Sequence, residues 1–509
     1  MERLKKMIAM NIYTKIITAI LASIVIACCA STVASGSTGK TDISYVIEID
    51  QANQNIAKVT ATFIPVDDRL YMFSGASGFP KRWAKFISHV NVVDENNQPI
   101  KVTALEDATW SLARTPDKPI RLSYQVNLDH EKYQWNGGVD GAAYGRDWGV
   151  FYTSRALFIV NGEDRSNINV SFKLPETWQI TSPWIALEKS QHIYGVNNYT
   201  ELATSMFFAG THEEVSIQHG DFELILALGG DDLIAQQDEF INLAKGVFGY
   251  YSELMGGGPK LSDEMTSNKS VVIINPASTT DGEALGNNIS ILIDQDGGQM
   301  SKVISRFIFA HEFFHLWNGK SFAPQSDDTE WFKEGFSNYY TLKSLHHVGF
   351  LNDDSYLSLL ADFFYEKYDS DQGVGVLSMT AGEEKHEHWG LIYAGGFFVG
   401  IAQDMIIRKE SANAKSLDDL MRTFYRRFNG NSVGYTLGDI QSELSKLSHS
   451  DQQQFFNQYV TGVDRLPLEN YLSLAGINSK RVNNRLVLSR DGNATEAQKQ
   501  LLSGLYGIQ

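Results

Sequence analysis

The sequence predicts an α+β chain of several domains, with an antiparallel β domain first and helices last. Three observations carry this reading. Apolar and polar residues alternate in short runs as far as about residue 222, the period of half-buried strands. From Asp231 the spacing changes to three and four, the period of helices with one apolar face, and beyond residue 395 it stays helical to the end. With 509 residues, 43% of them hydrophobic, and only 11 prolines, the chain can bury several cores, which excludes disorder and collagen-like structure. A formal net charge of -17 argues against a surface for nucleic acid or any other polyanion.

Taken in order, a basic stretch ending at Lys15 precedes an apolar run from Ile16 to Ala27 and then small residues, the pattern of an export leader over residues 1–27. The run is too short to span a bilayer. Val25-Ile26-Ala27-Cys28 resembles the cleavage box of bacterial lipoproteins, in which the cysteine becomes the lipidated first residue; cleavage after Ala34 is the alternative. The expected location is the bacterial cell envelope, lipid-anchored or periplasmic, with Cys28 the only membrane contact. Cys28 and Cys29 are the only cysteines, so none remains for a framework disulfide.

Residues 28–40 read as a linker and 41–180 as the antiparallel β domain, with strands at Ile43 to Ile49, Ala57 to Ile64, Ile120 to Val126 and Ile168 to Leu174. Phe222 to Leu228 is a further strand, Asp231 to Leu254 a helix, and Gly256-Gly257-Gly258-Pro259 its end rather than a phosphate loop. Strands at Val271 to Asn275 and Ile289 to Asp294 lead to a helix over Met300 to Trp317. A second helix is expected over Asp328 to His347, with Asp327 as N-cap and Glu330 completing a capping-box-like arrangement.

The chemistry lies in His311-Glu312-Phe313-Phe314-His315. Residues four apart share a helix face, so the two imidazoles can meet one cation, and Glu312 can reach a water bound to it. Glu334, on the following helix, can return as a third donor and leave a fourth position open, which is the ligand set of a catalytic zinc, one per chain. Asn338 follows Glu334 by one helical turn and is read either as an orienting partner of a ligating histidine or as a surface residue. His386 and His388 read as part of a solvated polar loop, and His346-His347 as favourable placement at a helix C-terminus.

HEFFHLWNGK from His311, with Glu334 in WFKEGFSNYY, resembles the glycyl aminopeptidase family of zinc peptidases, itself similar to the aminopeptidase N family. Trp110 to Asp129, Arg155 to Trp178 and Phe455 to Gly476 look like the same family. The resemblance implies a thermolysin-like zinc catalytic domain over 181–400, a helical domain over 401–509, and a peptide substrate. It also implies His311, His315 and Glu334 as zinc ligands, Glu312 as general base, and Tyr393 in Tyr393-Ala394-Gly395-Gly396 as the donor that stabilises the oxyanion. Family members commonly bind the substrate's free amine through a glutamate in a Gly-Leu-Glu-His-like stretch. Here that place reads Asp281 to Asn288 with Glu283 out of register, so Glu283 is the substrate-binding candidate and an endopeptidase is the alternative. A non-catalytic peptide-binding protein would be expected to lose Glu312 or a ligand, and all are present. No PDZ domain is recognisable.

Overall fold

The computed structural model describes residues 43–133, 143–189, 192–260, 268–430, 433–483 and 485–508; the leader, Cys28 and the linker lie outside the described residues. The described residues fall into two units, the first within Met1–Ile241 and Asp263–Ser305, the second within Asn242–Ser262 and Arg306–Gln509.

The first unit is β-rich, as its alternation dictates. Ile43–Asp50 buries every second side chain, including Tyr45, Ile47 and Ile49, within an eight-stranded sheet. It runs antiparallel to Asn53–Phe63 and parallel to Ser166–Lys173, with Tyr45 opposite Ala61 on one side and Val170 on the other. Parallel pairing needs a long crossover, so no local pattern announces it. The core contains tyrosines, and burying their hydroxyls is tolerable because each finds an acceptor: Tyr45 donates to the Ile159 carbonyl at 3.0 Å and Tyr124 to the Leu157 carbonyl at 2.9 Å.

A five-stranded sheet follows within the same unit. Phe222–Leu228, Lys269–Ala277 and Asn288–Asp294 lie parallel, each buried along most of its length, as parallel strands covered on both faces are. Asp281–Leu285 hangs antiparallel on the edge of this sheet, with Glu283 opposite Ser290. The glycine and two acids of that stretch suggest a loop; backbone pairing to Asn288–Asp294 makes it a strand instead.

The second unit is helical. Gly298–His315 carries the histidine motif into it and Glu330–His347 carries Glu334. Gly395–Glu410, with the turn Gly390–Ala394 before it, is apolar and long enough to cross a membrane, but almost all of it is buried inside the protein, which makes it a core helix. It crosses Glu330–His347 backbone to backbone. A Cβ on Gly335 would fall on the backbone of Gly396, and one on Gly396 would fall on the carbonyl of Trp331. Helices at Leu417–Phe428, Leu437–Leu447 and Glu496–Leu505 start with full capping boxes, Ser416 with Asp419, Thr436 with Asp439 and Thr495 with Gln498.

Three further details differ from the sequence expectation. The helix expected over Asp231 to Leu254 breaks after Ile234 and resumes as Gln237–Met255. The C-terminal helical run is interrupted by a hairpin, Ile477–Val482 with Arg485–Arg490. Asp327 is not an N-cap: Asp327–Thr329 forms a 3₁₀ turn and the helix begins at Glu330, whose carboxylate is drawn to two ammonium groups instead of back to the backbone.

Candidate metal centre

One face of the helix Gly298–His315 presents His311 and His315 together, as a spacing of four requires. Their Nε2 atoms stand 3.0 Å apart. Glu334 reaches in from Glu330–His347, its Oε2 lying 3.2 Å from His315 Nε2 and 3.5 Å from His311 Nε2. Among the described residues these three form a group able to hold a metal ion, and all three are buried.

The tautomer of His315 is set by the backbone. Its Nδ1–H donates to the Asn318 carbonyl at 2.9 Å, which leaves a lone pair on Nε2 facing the group. Asn318 is fixed in turn, its Nδ2 donating to the Lys333 carbonyl at 3.1 Å and its Oδ1 accepting from the Tyr435 hydroxyl at 3.3 Å. A nitrogen lone pair set beside a second imidazole nitrogen and a carboxylate oxygen is satisfied either by a proton held between them or by a cation bound to all three. Tetrahedral coordination at about 2.0 to 2.1 Å from zinc puts neighbouring donors roughly 3.3 to 3.4 Å apart, and the three separations of 3.0, 3.2 and 3.5 Å fall on either side of that value. The residues fit a zinc ion.

Glu334 uses its second oxygen elsewhere. Oε1 lies 3.4 Å from Lys333 Nζ and 3.4 Å from Lys385 Nζ. Both ammonium groups also bind Glu330, Lys333 at 2.6 and 2.8 Å and Lys385 by a close contact to Oε2. Two glutamates and two lysines thus form a buried, charge-balanced cluster behind the metal group. Burial opposes ionisation of Glu334, but Lys333, Lys385 and His315 outweigh it and hold its carboxyl well below the usual glutamate range.

Glu312 sits one residue along from His311 and is buried, with Oε2 lacking a hydrogen-bond partner among the described residues. Burial raises its carboxyl above the ordinary value; His311 works against this and Glu334 adds to it. That is a carboxylate with raised affinity for a proton.

Tyr393 lies in the π-helical turn Gly390–Ala394, its ring stacked on Trp389 at 5.3 Å and 8°. Burial, then Glu334, Glu330 and Glu312, push its hydroxyl well above the ordinary range, so it stays a neutral donor within the electrostatic reach of the metal group. Asn338 is buried, which excludes the surface reading. It does not orient a histidine either: its Nδ2 donates to the Tyr393 carbonyl at 3.4 Å.

The remaining sequence candidates fall outside this group. Glu283 belongs to the first unit, on the edge strand, and its side chain lies outside the described residues. His388 is not loosely solvated, since its Nδ1 pairs with Asp371 at 2.8 Å. His346 and His347 hold the C-terminal segment through the carbonyls of Tyr506 and Gly507, each at 3.1 Å. Sequence reasoning missed Asn318, Lys333 and Lys385. The first stands inside HEFFHLWNGK and the second inside WFKEGF, but only folding reveals what each touches.

Against known proteins, residues 44–211 match the family model of the peptidase M61 N-terminal domain, and residues 305–395 match that of M61 glycyl aminopeptidase. Among solved structures, the crystal structure of an aminopeptidase N family protein from Idiomarina loihiensis is similar in fold, with a TM-score of 0.71 at 19% identity over 89% of this chain and 82% of that one. No curated protein sequence matches the chain.

Proposed function

We propose, because this chain belongs to the M61 glycyl aminopeptidase family, that it is a zinc metallopeptidase, and an aminopeptidase in preference to an endopeptidase. The observation that carries the reading is the convergence of His311 Nε2, His315 Nε2 and Glu334 Oε2 at 3.0 to 3.5 Å. A zinc ion bound there supplies the Lewis acidity that makes a water nucleophilic near neutral pH and polarises the scissile carbonyl. The protein does the rest. Glu312, poised by burial to accept a proton, takes it from the attacking water and passes it to the leaving amine. Tyr393 donates a hydrogen bond to the oxygen on which charge develops, and its neutrality suits a partner that is anionic only transiently.

Tyr393→Phe deletes that donor and leaves the stacking on Trp389 in place. Its kcat is expected to fall by about 10² to 10³, roughly 2.7 to 4 kcal/mol, with little change in KM, because the bond strengthens only as charge develops. An unchanged kcat in steady-state assays would return Tyr393 to the core.

An endopeptidase is the second reading, and one observation favours it: Glu330 and Glu334 are both engaged by Lys333 and Lys385 rather than open to a substrate's α-ammonium. Recognition of a free amine then needs another carboxylate, for which Glu283 is the candidate. The deciding experiment offers the zinc-loaded protein a peptide library with free and with acetylated N-termini and reads cleavage positions by mass spectrometry. Removal of single N-terminal residues, abolished by acetylation, is expected; efficient internal cleavage of acetylated peptides would make the protein an endopeptidase.

A further inference from the structure

The charged cluster behind the metal group is larger than a third ligand needs. Glu330 and Glu334 are one turn apart on a single helix, and both are buried with side-chain exposures of 5% and 3%. Lys333 comes from the same helix, but Lys385 comes from the separate segment Gly382–Lys385 and ties that segment to both carboxylates. The segment lies flush on the turn before the helix, where Gly382 leaves no room for a Cβ against the Asp327 carbonyl. The same segment runs on to Trp389 and Tyr393.

We propose that Lys385, assisted by Lys333, is a positioning residue for the third metal donor. Two ammonium groups on Oε1 leave Glu334 a single oxygen, Oε2, for the metal, and they fix its carboxylate plane so that the fourth position stays open. Without Lys385 the carboxylate can rotate and offer both oxygens. Because Lys385 lies on the stretch leading to Tyr393, the same contact holds the oxyanion donor and the metal donor in one frame. This inference rests on the metal role of Glu334. Wild-type zinc uptake tests that role, and the ratio of variant to wild-type affinity tests the proposal.

The experiment compares wild type, Lys385→Met, Lys385→Arg and the charge-balanced double variant Glu330→Gln/Lys385→Met. Zinc affinity is read by competition with a chromophoric chelator, and coordination by the visible spectrum of the cobalt-substituted proteins. Loss of Lys385 is expected to weaken zinc binding about ten- to a hundred-fold, the usual effect of removing a partner that orients a ligand. The cobalt spectrum should change with it. The double variant removes one buried charge of each sign, so it folds even where the single variant does not, and it should remain weakened because Glu334 still lacks its clamp. Arginine should restore most of the affinity. Lys343→Met/Asp418→Asn removes a buried pair elsewhere in the unit, 3.1 Å apart, and should leave zinc affinity unchanged. Wild-type affinity with a wild-type cobalt spectrum in the double variant would overturn the proposal, and a wild-type protein that takes up no metal would sink the metal role of Glu334 along with it.

Discussion

Replacing Glu312 with Gln is expected to lower peptide hydrolysis by at least about a hundred-fold while zinc stays bound, the scale of general-base loss. The substitution keeps size and burial, so the fold has no reason to change. It removes only the capacity to accept a proton, which the buried position of Glu312 strengthens. Turnover of a fluorogenic peptide together with elemental analysis separates the two effects. Hydrolysis at the wild-type rate by the zinc-loaded variant would mean that another group takes the proton.

Replacing His315 with Ala is expected to abolish both metal and activity. His315 is the donor whose tautomer the Asn318 carbonyl fixes, and it stands closest to both other donors, at 3.0 and 3.2 Å. Two donors do not hold a catalytic zinc, which needs three protein ligands. Zinc content should therefore drop far below one per chain, and near-stoichiometric metal in the purified variant would show that the ion is held elsewhere.

Much of this site is legible in the sequence because it obeys short-range rules. His311 and His315 meet because a helix brings residues four apart onto one face, and Glu334 follows on the next helix in a segment whose composition marks it as helical. The support around these residues obeys no such rule. Asn318 meets His315 only after the chain turns at Leu316, and Lys385 reaches Glu334 from a distant segment of ordinary polar composition. Glu330 carries a capping signature, but charge-assisted bonds to two lysines outweigh a single backbone bond. In the fold, Ile120–Asn127 is readable by its apolar alternation and Phe222–Leu228 as a short, nearly continuous apolar run. The hairpin at Ile477–Val482 and Arg485–Arg490 is not, since its residues are mostly exposed and no continuous buried face imposes a period of two. The parallel partner of Ile43–Asp50 comes from more than a hundred residues away, beyond the reach of any local pattern.

The crossing of Gly335 and Gly396 sets how the site fails. At this point the two helices touch through bare backbone, and beside it Tyr339 packs on Phe397 and donates to Asp404, so a slide of one helix along the other meets close backbone and packed rings together. Glu334 lies beside one of these glycines and Tyr393 one turn from the other, and the pair opens as one cooperative unit or not at all. The catalytic geometry is thus expected to be lost together with the packing of this helix pair rather than ahead of it.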